Sequence, residues 1–148
     1  MPTTTAAFTI SLLTNVVVPT APWGIVPITA TPQIDQFNGW NTTTKQYKPS
    51  TAGFYHFFTQ QYFGSGMTNG GHVMVRNDTG SLPNLNAADV ISVNAIAVGG
   101  GVGDYLAASG IAYLNGTTDF VRLWAYSDQG QYYPISTNVP TIRAYLLP

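Results

Sequence analysis

The sequence contains no cysteine and no glutamate. The first absence excludes disulfides and thiolate metal sites, on which small secreted domains commonly rely. The second, with only two lysines, removes the residues that build the polar faces of helices, so almost no helix is expected. Charge of either sign is scarce: 7% of residues are charged, against roughly a quarter in ordinary soluble domains. A compact monomer covers its surface largely with Lys and Glu. Here Thr, Asn, Ser, Gln and Gly must do part of that, and burial against identical neighbours the rest. With a net charge of -1, and with Lys45, Lys48, Arg76, Arg122 and Arg143 scattered along the chain, there is no basic stripe for nucleic acid or an anionic membrane. Long apolar runs are missing as well. Residues 1–19 lack a basic leading segment and are interrupted by Ser11, Thr14 and Asn15. Neither a signal peptide nor a membrane span is expected, and the chain is expected to be made and folded in a cytoplasm.

What is present is strand chemistry. The 148 residues suit one domain over 1–148, with residues 1–24 as an extended arm or first strand. Residues 37–63 join a turn-rich connector to the longest aromatic run. From Phe54 the side chains alternate, with Phe54, His56, Phe58, Gln60 and Tyr62 on one face and Tyr55, Phe57, Thr59, Gln61 and Phe63 on the other. A strand aromatic on both faces belongs in the middle of a sandwich or under a subunit contact. About ten strands are expected in all. Besides 54–63 they include 7–13, 16–18, 25–30 (with Pro27 marking an edge or bulge), 72–76, 90–98, 107–114, 120–126 and 141–147. Residues 99–103 read as a flexible glycine loop. Many short strands with frequent turn signals mean an all-β, antiparallel sandwich of the jelly-roll type.

No constellation for catalysis stands out. Asp35, Asp78, Asp89, Asp104, Asp119 and Asp128 sit in or beside turns, where Asp serves backbone geometry. His56 and His72 are far apart and lack ligand spacing, so packing outweighs metal binding for both. A calcium site built from Asp104 or Asp119 with loop carbonyls is the weaker alternative, since no dense carboxylate loop exists. The serines have no nucleophile-elbow context, and the glycine loop has no Lys-Ser or Lys-Thr to cradle phosphate. No enzyme, cofactor or metal is expected. Asn41, Asn77 and Asn115 fit the glycosylation sequon, which a chain rich in Thr and Asn produces by chance.

Several motifs together resemble the trimeric jelly rolls of the complement globular-head and tumour-necrosis-factor superfamily. They are Ala7-Phe8, Asn38-Gly39-Trp40-Asn41, Tyr47-Lys48-Pro49, Gly53-Phe54-Tyr55-His56-Phe57, Val75-Arg76-Asn77, Tyr113-Leu114-Asn115-Gly116 through Asp119-Phe120-Val121-Arg122-Leu123, and Ile142-Arg143-Ala144-Tyr145-Leu146-Leu147. The likeness covers most of the chain in the family's order. It departs at Thr117-Thr118 inside the family's Gly-Asp turn, and at Ile142 and Ala144, where the family has Phe and Gly. The resemblance implies a homotrimer. With no collagen-like stalk in the sequence, it also implies a free-standing jelly roll of the kind found in tailed-phage virions.

The expected function is therefore a virion structural protein, made in the host cytoplasm, acting as a capsid decoration (cement) or head-fibre homotrimer on the major capsid protein. The alternative is a receptor- or carbohydrate-binding tip of a tail or fibre, with Trp23, Trp40, Tyr132 and Tyr133 as candidates for stacking on sugar faces. As ordinary core aromatics these four need no ligand. In the strands at 120–126 and 141–147, Val121, Leu123, Ala125, Ile142, Ala144 and Leu146 are expected to fill the core. Phe120, Arg122, Trp124, Tyr126, Arg143, Tyr145 and Leu147 are expected to meet their copies around the trimer axis, as the matching family strands do.

Overall fold

A computed structural model describes residues 6–12, 14–20, 22–63, 68–81, 88–97, 104–132 and 141–148. The glycine loop expected at 99–103 lies outside them. Among the described residues all regular structure is β. Strands β1 (Ala6–Ile10), β4 (Ile34–Asp35), β7 (Gly53–Phe63), β10 (Asp104–Leu114) and β13 (Ile142–Leu146) form a first sheet, in the order β10-β7-β13-β1-β4. A second sheet runs β5 (Trp40–Asn41), β6 (Gln46–Tyr47), β11 (Val121–Ser127), β8 (Asn69–Arg76) and β9 (Val90–Ala97), and β3 (Gly24–Ile25) pairs with the free stretch of β11 beside β6. A separate ribbon joins β2 (Val16–Val17) to β12 (Gln131–Tyr132). Among the described residues every pairing is antiparallel, which short connections without helices allow.

Alternation along β7 turns Tyr55, Phe57, Thr59 and Gln61 inward, all buried. Tyr55 and Phe57 share one core with Phe8 of β1 and Tyr47 of β6, whose rings stack at 4.3 Å, and with Val121, Leu123 and Ala125 of β11. Ile142 and Ala144 of β13 complete the core, and Leu146 packs against it while remaining partly exposed. The expected core set from the two late strands is therefore observed.

The stretch 25–30 is a strand only at its start. Pro27 has no N–H to give a ladder, and Ile28 N donates to Val26 O at 2.8 Å in a tight turn that leaves both Val26 and Ile28 buried. Thr117 and Thr118, which lengthen the turn between β10 and β11, are absorbed by Asn115. Its side-chain Oδ1 accepts from the N–H groups of Thr117, Thr118 and Asp119 at 2.9, 2.8 and 3.1 Å, while Gly116 takes a φ of +73°.

The two sheets approach each other at their β9 and β10 edges. Gly110 makes this possible, since a Cβ there would lie 2.0 Å from the Ile91 carbonyl oxygen. Gly110→Ala should therefore cost on the order of 3 kcal/mol in chemical denaturation, because a backbone atom cannot step aside. Gly80→Ala, at a φ of +78° with nothing within 4 Å, should cost only about 1 kcal/mol. Equal losses would remove the steric account of the edge.

His72 of β8 is fully buried, and burial lowers its pKa from 6.5 to about 4 by penalising the charged ring. Between those values the unfolded chain takes up a proton that the folded chain refuses. Stability should thus be full above pH 6.5 and fall as pH drops toward 4, by up to about 3 kcal/mol. Denaturation midpoints of the wild type and His72→Gln across that range check this. The slope should flatten in the variant, and an unchanged slope would assign it to carboxylates instead.

Candidate functional site

Over β11 and β8 the outward side of the second sheet is covered by the chain itself. Trp124 of β11 is 3% exposed and packs with Val73 and Val75 of β8 under Trp23, Ile25 and Val90. Tyr126 meets the Trp23 ring edge-on at 4.6 Å and donates its hydroxyl to Asn69 Oδ1 at 2.7 Å. Burial, then the Asp128 charge, push its phenol pKa up. Arg122 donates to Asp78 at 2.7 Å and to the Thr44 carbonyl at 3.1 Å, and its guanidinium lies 5.0 Å from the centre of the Phe120 ring.

These contacts correct the expectation that seven side chains from two strands share one trimer axis. β11 and β13 belong to different sheets, so Phe120, Arg122, Trp124 and Tyr126 face away from one side of the sandwich, and Arg143, Tyr145 and Leu147 from the other. The first four are already engaged within their own subunit. The physical reason is β3, whose pairing at Ile25 opposite Trp124 brings Trp23 and Ile25 over a surface that would otherwise have been exposed and aromatic.

The stacking candidates do not come together either. Trp40 turns into the core, its ring 5.5 Å from Phe8, whereas Trp23 lies on the outer side of the second sheet. Tyr132 is in β12, which pairs with β2, and Tyr133 lies outside the described residues.

The outer face of the first sheet is the one left open. Cross-strand register places Tyr113 opposite Phe54, Ile111 opposite His56 and Ser109 opposite Phe58. On the far side of β7, Tyr145 lies opposite His56 and Arg143 opposite Phe58. Phe54, Ile111 and Tyr113 are 57%, 59% and 44% exposed, and Phe54 and Tyr113 meet edge to face at 5.3 Å. His56, Phe58, Arg143, Tyr145 and Leu147 are half-buried around them. The alternation along 54–63 marked this face in the sequence. The continuation onto β10 was hidden, because Ile111 and Tyr113 acquire their neighbours only through long-range pairing.

This face offers adhesion rather than reaction chemistry. It has one imidazole and one guanidinium but no carboxylate beside them. Elsewhere the acids hold turns. Asp35 accepts from Gly39 and Trp40 N–H at 2.8 and 2.9 Å, and Asp119 from Asn77 and Asn115 at 2.7 and 2.9 Å. Asp128 accepts from the Thr68 hydroxyl and from the Thr68 and Asn69 N–H groups, contacts that hold its pKa below the usual carboxylate value. Among the described residues, no three His, Cys, Asp or Glu side chains are grouped to hold a metal ion. Asn41, Asn77 and Asn115 each use their side-chain oxygen to accept from backbone N–H groups.

No family model and no curated protein matches the chain. Solved structures do. Murine APRIL at pH 8.0 superposes with a TM-score of 0.64 at 11% identity, covering 96% of this chain and 98% of that one. At pH 5.0 the same protein gives 0.61 at 12% identity, covering 91% and 97%. Eiger TNF from S. frugiperda gives 0.60 at 12% identity, covering 98% of this chain and 93% of the other. At such identities the likeness concerns architecture, and the architecture of this chain is a jelly roll similar to theirs.

Proposed function

We infer that the protein is a non-enzymatic structural module that assembles as a homotrimer through the outer face of its first sheet. It would serve in a virion, as a capsid decoration or head-fibre protein seated on the major capsid protein and made in the host cytoplasm. The observation that carries the assembly is the exposed aromatic face formed by Phe54, Ile111 and Tyr113 with their half-buried neighbours. A sheet face of this kind is an association surface, since soluble monomers rarely leave large contiguous apolar patches in water. The charge deficit of the whole chain and the trimers implied by the sequence resemblance point the same way. Employment of the described acids in turns and ion pairs supports a non-catalytic role. The virion role is supported by the jelly-roll fold and by a sequence poor in charge. A sugar-binding tip has less support, because Trp40 faces the core and Trp23 is packed against Tyr126.

Light scattering at micromolar concentration should give about three times the 15.9 kDa chain mass. Ile111→Asp with Tyr113→Asp should yield folded monomers, because the changes load an exposed face with charge that only assembly would bury. Trp124→Ala should instead lower the stability of the subunit itself by roughly 3–5 kcal/mol. A trimer that survives the double aspartate variant would move the interface elsewhere. Mass spectrometry of purified particles tests the location: many copies per head support decoration, while a few per particle would support a tail tip.

A further inference from the structure

The open face of the first sheet carries a cation, Arg143, among neutral groups: hydroxyls, the His56 ring and the Gln60 amide can share hydrogen bonds with it, but none brings a negative charge. Its register sets Thr9, Arg143, Phe58 and Ser109 in one row across β1, β13, β7 and β10, and Ala6, Tyr145, His56 and Ile111 in the next. Arg143 and His56 are thus diagonal neighbours, within reach of one small ligand. The hydroxyl-bearing Thr9, Ser109 and Tyr145 flank them.

Among the described residues Arg143 forms no ion pair. The ion pairs there are Arg76 with Asp89 and Arg122 with Asp78. Asp35, Asp119 and Asp128 are held by the turn contacts given above. Asp104 begins β10 opposite Phe63, well along the strand from Ser109. A second copy meeting it through the same row brings Thr9, Arg143, Phe58 and Ser109 again, none of them an acid. Covering that row would therefore take the Arg143 cation out of water with neutral acceptors but no counter-charge beside it, an unfavourable outcome that an entering anion would relieve.

We propose that the assembled face binds a compact inorganic oxyanion between neighbouring copies, held by the Arg143 guanidinium with His56 and Tyr145 completing its hydrogen bonds. The guanidinium fork matches two oxygens of such an ion, and enclosure by Phe58 and its neighbours strengthens the contact by excluding water. The site rests on the self-association reading, since one subunit alone leaves Arg143 free to be hydrated. Its role is to neutralise the interface, so the ion acts as a ligand of the assembly and stabilises it by mass action.

The test compares the melting temperature of the wild-type assembly in phosphate and in chloride, at equal ionic strength and pH 7, with light scattering run in both. Phosphate should raise Tm by roughly 5 °C, and Arg143→Gln should abolish the difference. The phosphorus NMR line of inorganic phosphate should broaden with the wild type and stay sharp with Arg143→Gln. If that variant fails to assemble, saturable broadening with the wild type supports the site and a sharp line overturns it. A trimer with equal Tm in both salts and a sharp line removes the ion while leaving the assembly intact. A monomer in both salts removes the assembly, and the site with it.

Discussion

Which side chains face inward and which outward depends on the uninterrupted ladder that holds β7 between β10 and β13. All eleven residues of β7 pair with β10, and five of them also pair with β13, without a bulge in either register. With period two enforced over that length, Tyr55 and Phe57 must enter the core, and Phe54, His56 and Phe58 must leave it. A slip of one residue would bury His56 and expose Tyr55. The stack of Phe8 on Tyr47 and the edge contact of Tyr47 with Phe57 lock the inward set from the opposite sheet. Aromatic packing and ladder register therefore specify the same alignment.

Both ion pairs found among the described residues lie at one end of the sandwich. Arg76 and Asp89, Arg122 and Asp78, and Asp119 with Asn77 and Asn115 tie the turns after β8 and β10 to each other. Arg76 also donates to the Tyr113 carbonyl in the first sheet, at 3.0 Å. These contacts fix the ends of β8, β10 and β11. They leave little charge to hydrate the broad faces, where polar uncharged residues and aromatic rings remain.

Local pattern made much of this readable in advance. The fold class followed from strand residues, turn residues and the near absence of helix formers, and the two-faced character of 54–63 followed from alternation alone. Turn roles for the aspartates were also legible, because Asp beside Gly and Asn has a local use whatever the tertiary fold. Partnership between distant strands was not. Residues 120–126 and 141–147 have similar patterns, and nothing local says that one joins β8 while the other joins β7 and β1. Trp124 looked available because its cover, Trp23 and Ile25, comes from a hundred residues earlier in the chain. Period tells which side chains alternate, and only pairing tells what each face meets.

β1 lies between β13 and β4, so the first described strand has its longest pairing with the last. During synthesis the first sheet therefore lacks an inner member until residues 142–146 have left the ribosome. Closing so long a loop is slow and comes late in folding. The aromatic face is thereby kept incomplete until β13 has taken its place between β7 and β1, so the sheet and the surface it carries are finished in the same step, an ordering that comes from strand order alone.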